Sequence, residues 1–237
     1  MNKKSVQDLI SEKYEIILGS SSPRRYEIMH DMMGFSHITV MKPSFEENLP
    51  KENYKSDISG YALETSRFKA EGLLSDLTEK RGHDFSGDTK AQKFLIICAD
   101  TVVADRDNNI YEKPVTKENQ ERYLRKFCYE IGGRCDFVRV ITGVSIVVWS
   151  GNWETCKRTS FTEESKVFFD GNTPEKLIKQ YVETGDGLQV AGGFKIQGSS
   201  GVFIKKIDGD YFNVVGMPLN KTFMKIIECY EEQCSNI

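Results

Sequence analysis

Two arginines follow a serine-rich segment near the start of the chain. Arg24 and Arg25 come directly after Ser22-Pro23, and an apolar run at residues 14–18 precedes them. This order predicts a strand, a loop and a helix, with Ser22 as the N-cap and Pro23 at the first helical position. The loop amides and the positive end of the helix dipole would face one point and form an anion site. Because two cations there oppose the dipole, their position calls for a bound anion. A capped surface helix with two solvated arginines is the alternative.

A buried carboxylate is the second candidate for chemistry. Asp100 follows six apolar residues, 94–99, which predict a central strand. A carboxylate at the end of such a strand is a frequent catalytic position, because burial and neighbouring charges tune its pKa. The alternative is that Asp100 begins a turn. Glu46, Glu47 and Lys113, taken one at a time, are typical of solvated loop residues.

The composition narrows the class of protein. Of 237 residues, 39% are hydrophobic and 28% are charged, as in a soluble globular protein with its own core. The net charge of −3 gives no reason to expect nucleic-acid binding, so a phosphate site would be local. No apolar stretch is long enough to span a membrane, and residues 1–13 are a polar extension without a signal-peptide core. Three histidines and six scattered cysteines argue against a zinc site or a histidine triad, so we expect a cytoplasmic protein.

Helical and extended patterns alternate along the first half of the chain. Helices are predicted at residues 23–33 and 58–77, with Lys69 on the second, and residues 78–93 are predicted to be an inserted surface loop. Further strands are predicted at residues 38–45, 138–149, 153–161 and 167–169.

The end of the chain has a turn signal between two apolar runs. Residues 201–207 and 211–215 are predicted to pair as a hairpin across Asp208-Gly209-Asp210. We find no internal repeat and no linker that would separate domains. The whole pattern predicts a single α/β domain over residues 1–237, with one curved mixed β-sheet flanked by helices in two lobes.

Short motifs along most of the chain resemble a known family when they are taken together. They are Ser20-Ser21-Ser22-Pro23-Arg24-Arg25, Glu47, Lys69-Ala70, Ala99-Asp100-Thr101, Glu112-Lys113-Pro114, Ile196-Gln197-Gly198, Gly209-Asp210-Tyr211 and Val214-Val215-Gly216-Met217-Pro218-Leu219. In this order and spacing they resemble the Maf family of nucleoside triphosphate pyrophosphatases. The chain departs from the family at Val138, where a histidine is usual, and at residues 190–195, where Lys-Ala-Gly-Ala-Tyr-Gly is usual.

The resemblance implies a Maf/ITPase-like fold with a central nucleotide cleft, and a reaction. A nucleoside triphosphate and water would give the monophosphate and pyrophosphate, with Asp100 as the base that activates water. Glu47 and Asp100 would hold a divalent cation, Mg²⁺ or Mn²⁺. The residues that would bind the substrate are Ser20, Ser22, Arg24, Arg25, Lys69, Thr101, Lys113 and Gln197. The family also implies a homodimer.

In the family that the chain resembles, three positions separate groups with different substrates. Arg24, Thr101 and Gln197 match the group that acts on dTTP and UTP, so we expect these substrates first, with tolerance for CTP or modified pyrimidines. A neutral Gln197 amide can both donate to and accept from a uracil or thymine edge. Residues 192–195 instead resemble the group that acts on 7-methyl-GTP, which is the alternative substrate. A nucleotide-binding regulator without turnover and a structural or interaction protein are the alternatives to an enzyme.

Substitution of the four basic residues in these motifs has an expected effect on activity and on stability. If Arg24, Arg25, Lys69 and Lys113 act on the triphosphate, replacing each by alanine lowers activity and leaves the melting temperature almost unchanged. We likewise expect Asp100→Asn to abolish hydrolysis almost completely and to leave the fold intact.

Overall fold

A computed structural model of the chain describes residues 4–45, 49–81, 93–149 and 156–235. The strands within these ranges are β1 (Glu15–Gly19), β2 (Thr39–Val40), β3 (Phe94–Ala104), β4 (Ile110–Tyr111), β5 (Val138–Trp149), β6 (Lys157–Phe169) and β7 (Ile204–Asp208). They form one seven-stranded sheet in the order β2-β1-β3-β5-β6-β7, and β4 pairs with the end of β3.

Helices flank this sheet. The α-helices in the described ranges are α1 (Val6–Lys13), α2 (Pro23–Glu27), α3 (Ile58–Arg81), α4 (Lys117–Arg125), α5 (Glu175–Thr184), α6 (Tyr211–Val215) and α7 (Leu219–Ser235). Wider π-helical turns, Ile28–Met32 and Lys126–Ile131, continue α2 and α4. Helix α1 forms within the segment predicted to be a polar extension, and its Ile10 is fully buried.

The sheet is parallel on one side and antiparallel on the other. Strand β1 runs parallel to β2 and β3. Helices α2 and α3 lie between these strands in sequence and serve as the crossover connections that parallel pairs require. The remaining pairs are antiparallel. The predicted mixed α/β sheet with flanking helices is therefore confirmed.

Alternate residues of β3 face opposite sides of the sheet, as the period of a strand requires. Ile96 and Cys98 belong to one apolar cluster with Leu73 of α3. Leu95 and Ile97 belong to a different cluster, which also contains residues of α1, of the π-helical turn that continues α2, and of α7. Burying each large aliphatic side chain contributes about 1.5–3 kcal/mol. The two layers therefore fix which way every side chain of β3 points.

Gly143 allows α3 to lie unusually close to the sheet. A Cβ atom at Gly143 would lie 2.3 Å from the carbonyl oxygen of Ala62 in α3, which is too close for any side chain. Gly143 is the cross-strand partner of Asp100, and directly opposite residues point to the same face. The side chain of Asp100 therefore points towards α3, where Lys69 lies two helical turns beyond Ala62.

Asp100 does not end its strand, contrary to the sequence prediction. Strand β3 continues through Asp100 to Ala104, because β5 pairs with all eleven of its residues, including Asp100 and Thr101. Asp100 is thus a polar residue within a buried strand rather than at its end.

The predicted hairpin near the C-terminus is also wrong. Residues 211–215 form α6, because the Asp210 carboxylate accepts hydrogen bonds from the amides of Phe212 (2.6 Å) and Asn213 (3.2 Å) and caps a helix. Strand β7 pairs with β6 instead.

Two further predictions differ from the structure in their bounds. The predicted strand 167–169 is the end of β6, which is continuous from Lys157 to Phe169. The predicted loop 78–93 begins too early, because α3 continues to Arg81. Residues 82–92 and 150–155 lie outside the described residues. Among the described helices, none is both long enough and apolar enough to cross a membrane.

Candidate active site

A cleft with a volume of about 780 Å³ opens beside β3. Its lining residues fall within residues 19–25, 42–45, 100–103, 110–115, 189–195 and 214–216, together with Lys51, Tyr61, Lys69 and Val140. Seven lining residues are basic and two are acidic: Arg24, Arg25, Lys42, Lys51, Lys69, Lys113, Lys195, Asp100 and Glu112. The whole chain carries a charge of −3. Positive charge is therefore concentrated in this cleft, where it favours an anionic ligand.

A buried ion pair lies in the wall of the cleft. Lys69 Nζ donates to Asp100 Oδ1 at 2.7 Å, and the two side chains are only 9% and 11% exposed. The close approach of α3 at Gly143 brings these residues together. Lys69 is therefore a buried partner of Asp100 and not a solvated surface charge, contrary to the expectation that its replacement would leave the melting temperature almost unchanged.

The thiol beneath this pair is not a candidate nucleophile. Cys98 is fully buried, and burial raises the pKa of its thiol to about 12. It therefore stays protonated near neutral pH and cannot supply a thiolate. Cys98 and Asp100 lie two residues apart on β3, and of the two only Asp100 lines the cleft.

Arg25 connects three parts of the cleft wall. Its guanidinium donates from Nε to the carbonyl oxygen of Gly216 at 2.9 Å and from Nη1 to Ser20 Oγ at 3.1 Å. Its Nη2 donates to Thr101 Oγ1 at 2.9 Å. Arg25 therefore fixes the position of the serine loop against β3 and the segment before α7. We conclude that it has a structural role as well as a place in the cleft.

Arg24 lies in the same wall but is held less extensively. Its Nε donates to the carbonyl oxygen of Val215 at 3.1 Å. Burial lowers the pKa of its guanidinium, and the negative charge of Asp186 opposes that effect. Arginine remains charged at physiological pH despite such a shift. Arg24 is therefore a partly desolvated cation beside the serine loop.

Ser20 and Ser22 form the loop that leads into α2. The Ser20 hydroxyl oxygen accepts a bond from the Ser22 amide at 3.2 Å as well as the bond from Arg25. Ser22 is the N-cap residue, as predicted, but its side chain makes no capping hydrogen bond to the helix. Both serines line the cleft.

Three lysines that the sequence motifs did not include also line the cleft. Lys51 forms an ion pair with Glu112, and Lys195 forms one with Asp186. Lys42 is exposed in the same region. Only Lys195 had a signal in the sequence, because it stands where the family usually has glycine. Lys42 and Lys51 carry no sequence pattern that would have identified them.

Another part of the cleft is apolar. Its lining side chains include Val103, Ile110, Val115, Val190, Ala191 and Phe194. A site with clustered cations on one part and apolar side chains on another suits a ligand with an anionic end and a flat, less polar end.

Most of the predicted site residues come together in the structure. Ser20, Ser22, Arg24, Arg25, Lys69, Asp100, Thr101 and Lys113 all line the cleft. Gln197 is not among the lining residues and is exposed. Gln189, which the sequence analysis did not select, lines the cleft and carries the same amide group. Glu47 lies outside the described residues, so its assignment stays a prediction.

The acidic side chains of the cleft decide whether a divalent cation fits there. The described residues contain no cluster of three or more His, Cys, Asp or Glu side chains that could hold a metal ion. Mg²⁺, however, is usually bound by one or two carboxylates together with substrate phosphates. Asp100 supplies one such carboxylate among cations that suit phosphate, so these residues fit a metal that enters with a nucleotide.

Comparison with known proteins gives one family. The model of the family described as Maf-like protein matches residues 15–229. A dTTP/UTP pyrophosphatase of Saccharomyces cerevisiae is 49% identical over 214 residues, which are 90% of each chain. A dTTP/UTP pyrophosphatase of Schizosaccharomyces pombe is 31% identical over 92% of this chain and 84% of the relative. A human protein named as a probable bifunctional dTTP/UTP pyrophosphatase/methyltransferase is 35% identical over 91% of this chain, and the match covers 32% of that protein.

Proposed function

The chain belongs to the Maf-like protein family, and we propose that it is a pyrophosphatase that hydrolyses dTTP and UTP to the monophosphate and pyrophosphate. The observation that carries the chemistry is the Lys69–Asp100 pair, a carboxylate held within a cleft lined by seven basic side chains. A carboxylate in a cation-rich site can activate water next to a phosphate that the cations hold.

Asp100 acts as the general base in this proposal. A water molecule gives a proton to the Asp100 carboxylate while its oxygen forms a bond to the α-phosphorus. The bond from that phosphorus to the oxygen bridging to the β-phosphorus breaks, and pyrophosphate leaves with the bonding electrons. The short bond from Lys69 fixes the orientation of the carboxylate before substrate arrives.

The basic residues hold the triphosphate and stabilise the charge that develops on the leaving group. Lys113 is exposed at the cleft, and Arg24 is partly desolvated beside the serine loop. Hydrogen bonds from charged donors to phosphate are about twice as strong as neutral ones. Cations that are fixed before the reaction stabilise the departing pyrophosphate without reorganising.

Asp100, with Glu47 as the resemblance implies, would hold a divalent cation. Such a cation, Mg²⁺ or Mn²⁺, neutralises charge on the phosphate oxygens when it is bound. The carboxylate chemistry of Asp100 supports this assignment, and the side chains around it fit phosphate.

The pyrimidine ring of the substrate is proposed to lie along the apolar part of the cleft. An exposed amide there, Gln189, offers one donor and one acceptor to a pyrimidine edge. The family resemblance assigns this role to Gln197. We further propose, from the resemblance, that the protein is a cytoplasmic homodimer; sedimentation of the purified chain would test the dimer.

A substrate panel tests the function directly. dTTP, UTP, CTP, ATP, GTP and 7-methyl-GTP are each incubated with Mg²⁺ or Mn²⁺, and the products are separated by ion-exchange chromatography. We expect monophosphate and pyrophosphate in equal amounts, with dTTP and UTP preferred, and no turnover after chelation with EDTA. In H₂¹⁸O the label should enter the monophosphate only, because water attacks the α-phosphorus.

Other outcomes would overturn particular parts of the proposal. Release of orthophosphate and a nucleoside diphosphate would contradict the reaction. A preference for 7-methyl-GTP over dTTP in direct competition would contradict the choice of base. Stabilisation by dTTP without any hydrolysis would favour a nucleotide-binding regulator.

A further inference from the structure

Val115 is held in a backbone conformation that valine normally avoids. Its φ angle is +64°, and among the described residues only Asn108 and Cys135 are other non-glycine residues with positive φ. Asparagine tolerates this region, whereas a β-branched residue is a genuine outlier there. Of these three residues, Val115 is the one that lines the cleft.

Hydrogen bonds on both sides fix this conformation. The Thr116 amide donates to the carbonyl oxygen of Pro114 at 2.7 Å, which closes a three-residue γ-turn centred on Val115. The form of this turn with positive φ is rare and strained. The Val115 amide donates to the carbonyl oxygen of Leu188 at 3.1 Å, and Asn119 Nδ2 donates to the Pro114 carbonyl oxygen at 3.2 Å. The turn is therefore anchored to both α4 and the loop that carries Gln189.

The side chain gains little from this arrangement in the free protein. Val115 is 63% exposed, so its isopropyl group is mostly in contact with water. Glycine or asparagine would adopt the same backbone with less strain and would expose less apolar surface. A residue that is unfavourable in both respects at a cleft indicates a contact that forms only when a ligand covers it.

The position of the turn indicates which part of the ligand would contact Val115. Lys113, two residues earlier in the same loop, is one of the cations proposed to hold the triphosphate. Val115 lines the cleft together with Val190, Ala191 and Phe194. The loop thus places a cation and an apolar group where the phosphates would meet the nucleoside. We propose that Val115 contacts the nucleoside of the bound triphosphate and contributes to the affinity of the cleft for that part of the ligand. This inference rests on the proposed function.

Two substitutions separate this contact from the phosphate site. Val115→Gly removes the strain and the side chain, and Val115→Ala removes only the two methyl groups. Binding is measured by calorimetry with α,β-methylene-dTTP, which the enzyme cannot hydrolyse, and with inorganic tripolyphosphate, which has no nucleoside. We expect the Kd of α,β-methylene-dTTP to rise about tenfold in Val115→Gly, and less in Val115→Ala, because apolar contact is lost. The Kd of tripolyphosphate should change less than about twofold.

Cys135→Gly is the matched control. Cys135 is exposed, has a φ of +57° and does not line the cleft. Its replacement makes the same backbone change elsewhere, so neither Kd should change. Both glycine variants should keep a melting temperature within about 3 °C of the wild type, because relief of strain offsets the flexibility of glycine.

Binding measurements test the contact of Val115 with the nucleoside, and hydrolysis measurements test the proposed pyrophosphatase function. An unchanged Kd for α,β-methylene-dTTP in both Val115 variants would overturn the inference. A parallel rise for tripolyphosphate would also overturn it, because Val115 would then act through Lys113. Hydrolysis of dTTP by the wild type tests the proposed function separately, and the binding ratios do not depend on turnover.

Discussion

Lys69 Nζ lies 2.7 Å from Asp100 Oδ1, and both side chains are about nine-tenths buried beside a cleft lined with cations. Residues on two elements, α3 and β3, thus form one unit. Removing either partner leaves an opposite charge in a poorly solvated place, which is costly even where the intact pair adds little stability. Activity and stability are therefore coupled at this pair.

Asp100→Asn should lower kcat by about 10²–10⁴-fold, because the amide cannot accept the proton of the attacking water. The Kd of dTTP measured without metal should not weaken, since a negative charge has been removed from an anion site. Steady-state kinetics and calorimetry measure the two effects. Turnover above a tenth of the wild-type value would contradict the assignment.

Lys69→Met should lower both activity and the free energy of unfolding, in contrast to the expectation from sequence that stability would be almost unchanged. We expect a loss of about 1–3 kcal/mol, less than for a pair deep in a core because this pair borders a cleft. Urea denaturation measures the loss. The double variant Lys69→Met/Asp100→Asn should regain part of it, because no buried charge remains; additive losses would show that the pair is not coupled.

Arg25→Lys should destabilise the protein by about 1–3 kcal/mol, because lysine cannot replace hydrogen bonds to Gly216, Ser20 and Thr101 at once. Arg24→Lys is the comparison, since the hydrogen bond from Arg24 Nε to the Val215 carbonyl oxygen is the one at risk there. Both variants are followed by urea denaturation. Equal stability of the two variants would argue against the connecting role of Arg25.

Lys113→Ala should raise the KM for dTTP by about tenfold or more and leave the melting temperature unchanged, because Lys113 is exposed at the cleft. Lys176→Ala removes an exposed lysine from α5, outside the cleft lining, and is the control. If both variants hydrolyse dTTP as the wild type does, Lys113 is not a phosphate contact.

Asp105 should make stability depend on pH in the acid range. Burial raises the pKa of Asp105, but hydrogen bonds from Asn109 and Tyr111 and the charge of Lys126 outweigh it and hold the pKa below 3.8. A carboxylate with a lowered folded pKa contributes stability above its unfolded pKa and loses it as the pH falls through the folded value.

The Asp105→Asn variant tests this dependence. It should be less stable than the wild type at pH 7, and the difference should shrink as the pH falls below about 4. Denaturation with urea across this pH range measures it, with Asp107→Asn removing a charge from the same turn as the control. A difference that stays constant with pH would contradict the expectation.

The sequence predicted several elements because their patterns are local. The apolar run before Asp100, the helical spacing around Lys69 and the proline after Ser22 each act within a few residues. The hairpin prediction failed for the opposite reason: Asp208-Gly209-Asp210 is a strong turn signal, but the Asp210 side chain caps a helix instead. The same residue types favour both turns and helix N-caps. Because β7 pairs with β6, residues 211–215 are not its partner strand, and Asp210 acts as an N-cap.

The sequence by itself determined the mixed α/β class, the motif order and the residues Asp100, Lys69, Arg24, Arg25 and Lys113 as candidates. Only the tertiary structure decided that Lys69 binds Asp100, that Arg25 connects the serine loop to Thr101 and Gly216, and that Gln189 rather than Gln197 lines the cleft. The physical reason is distance along the chain. The closeness of Lys69 to Asp100 depends on the missing side chain of Gly143, which no local pattern around either residue records.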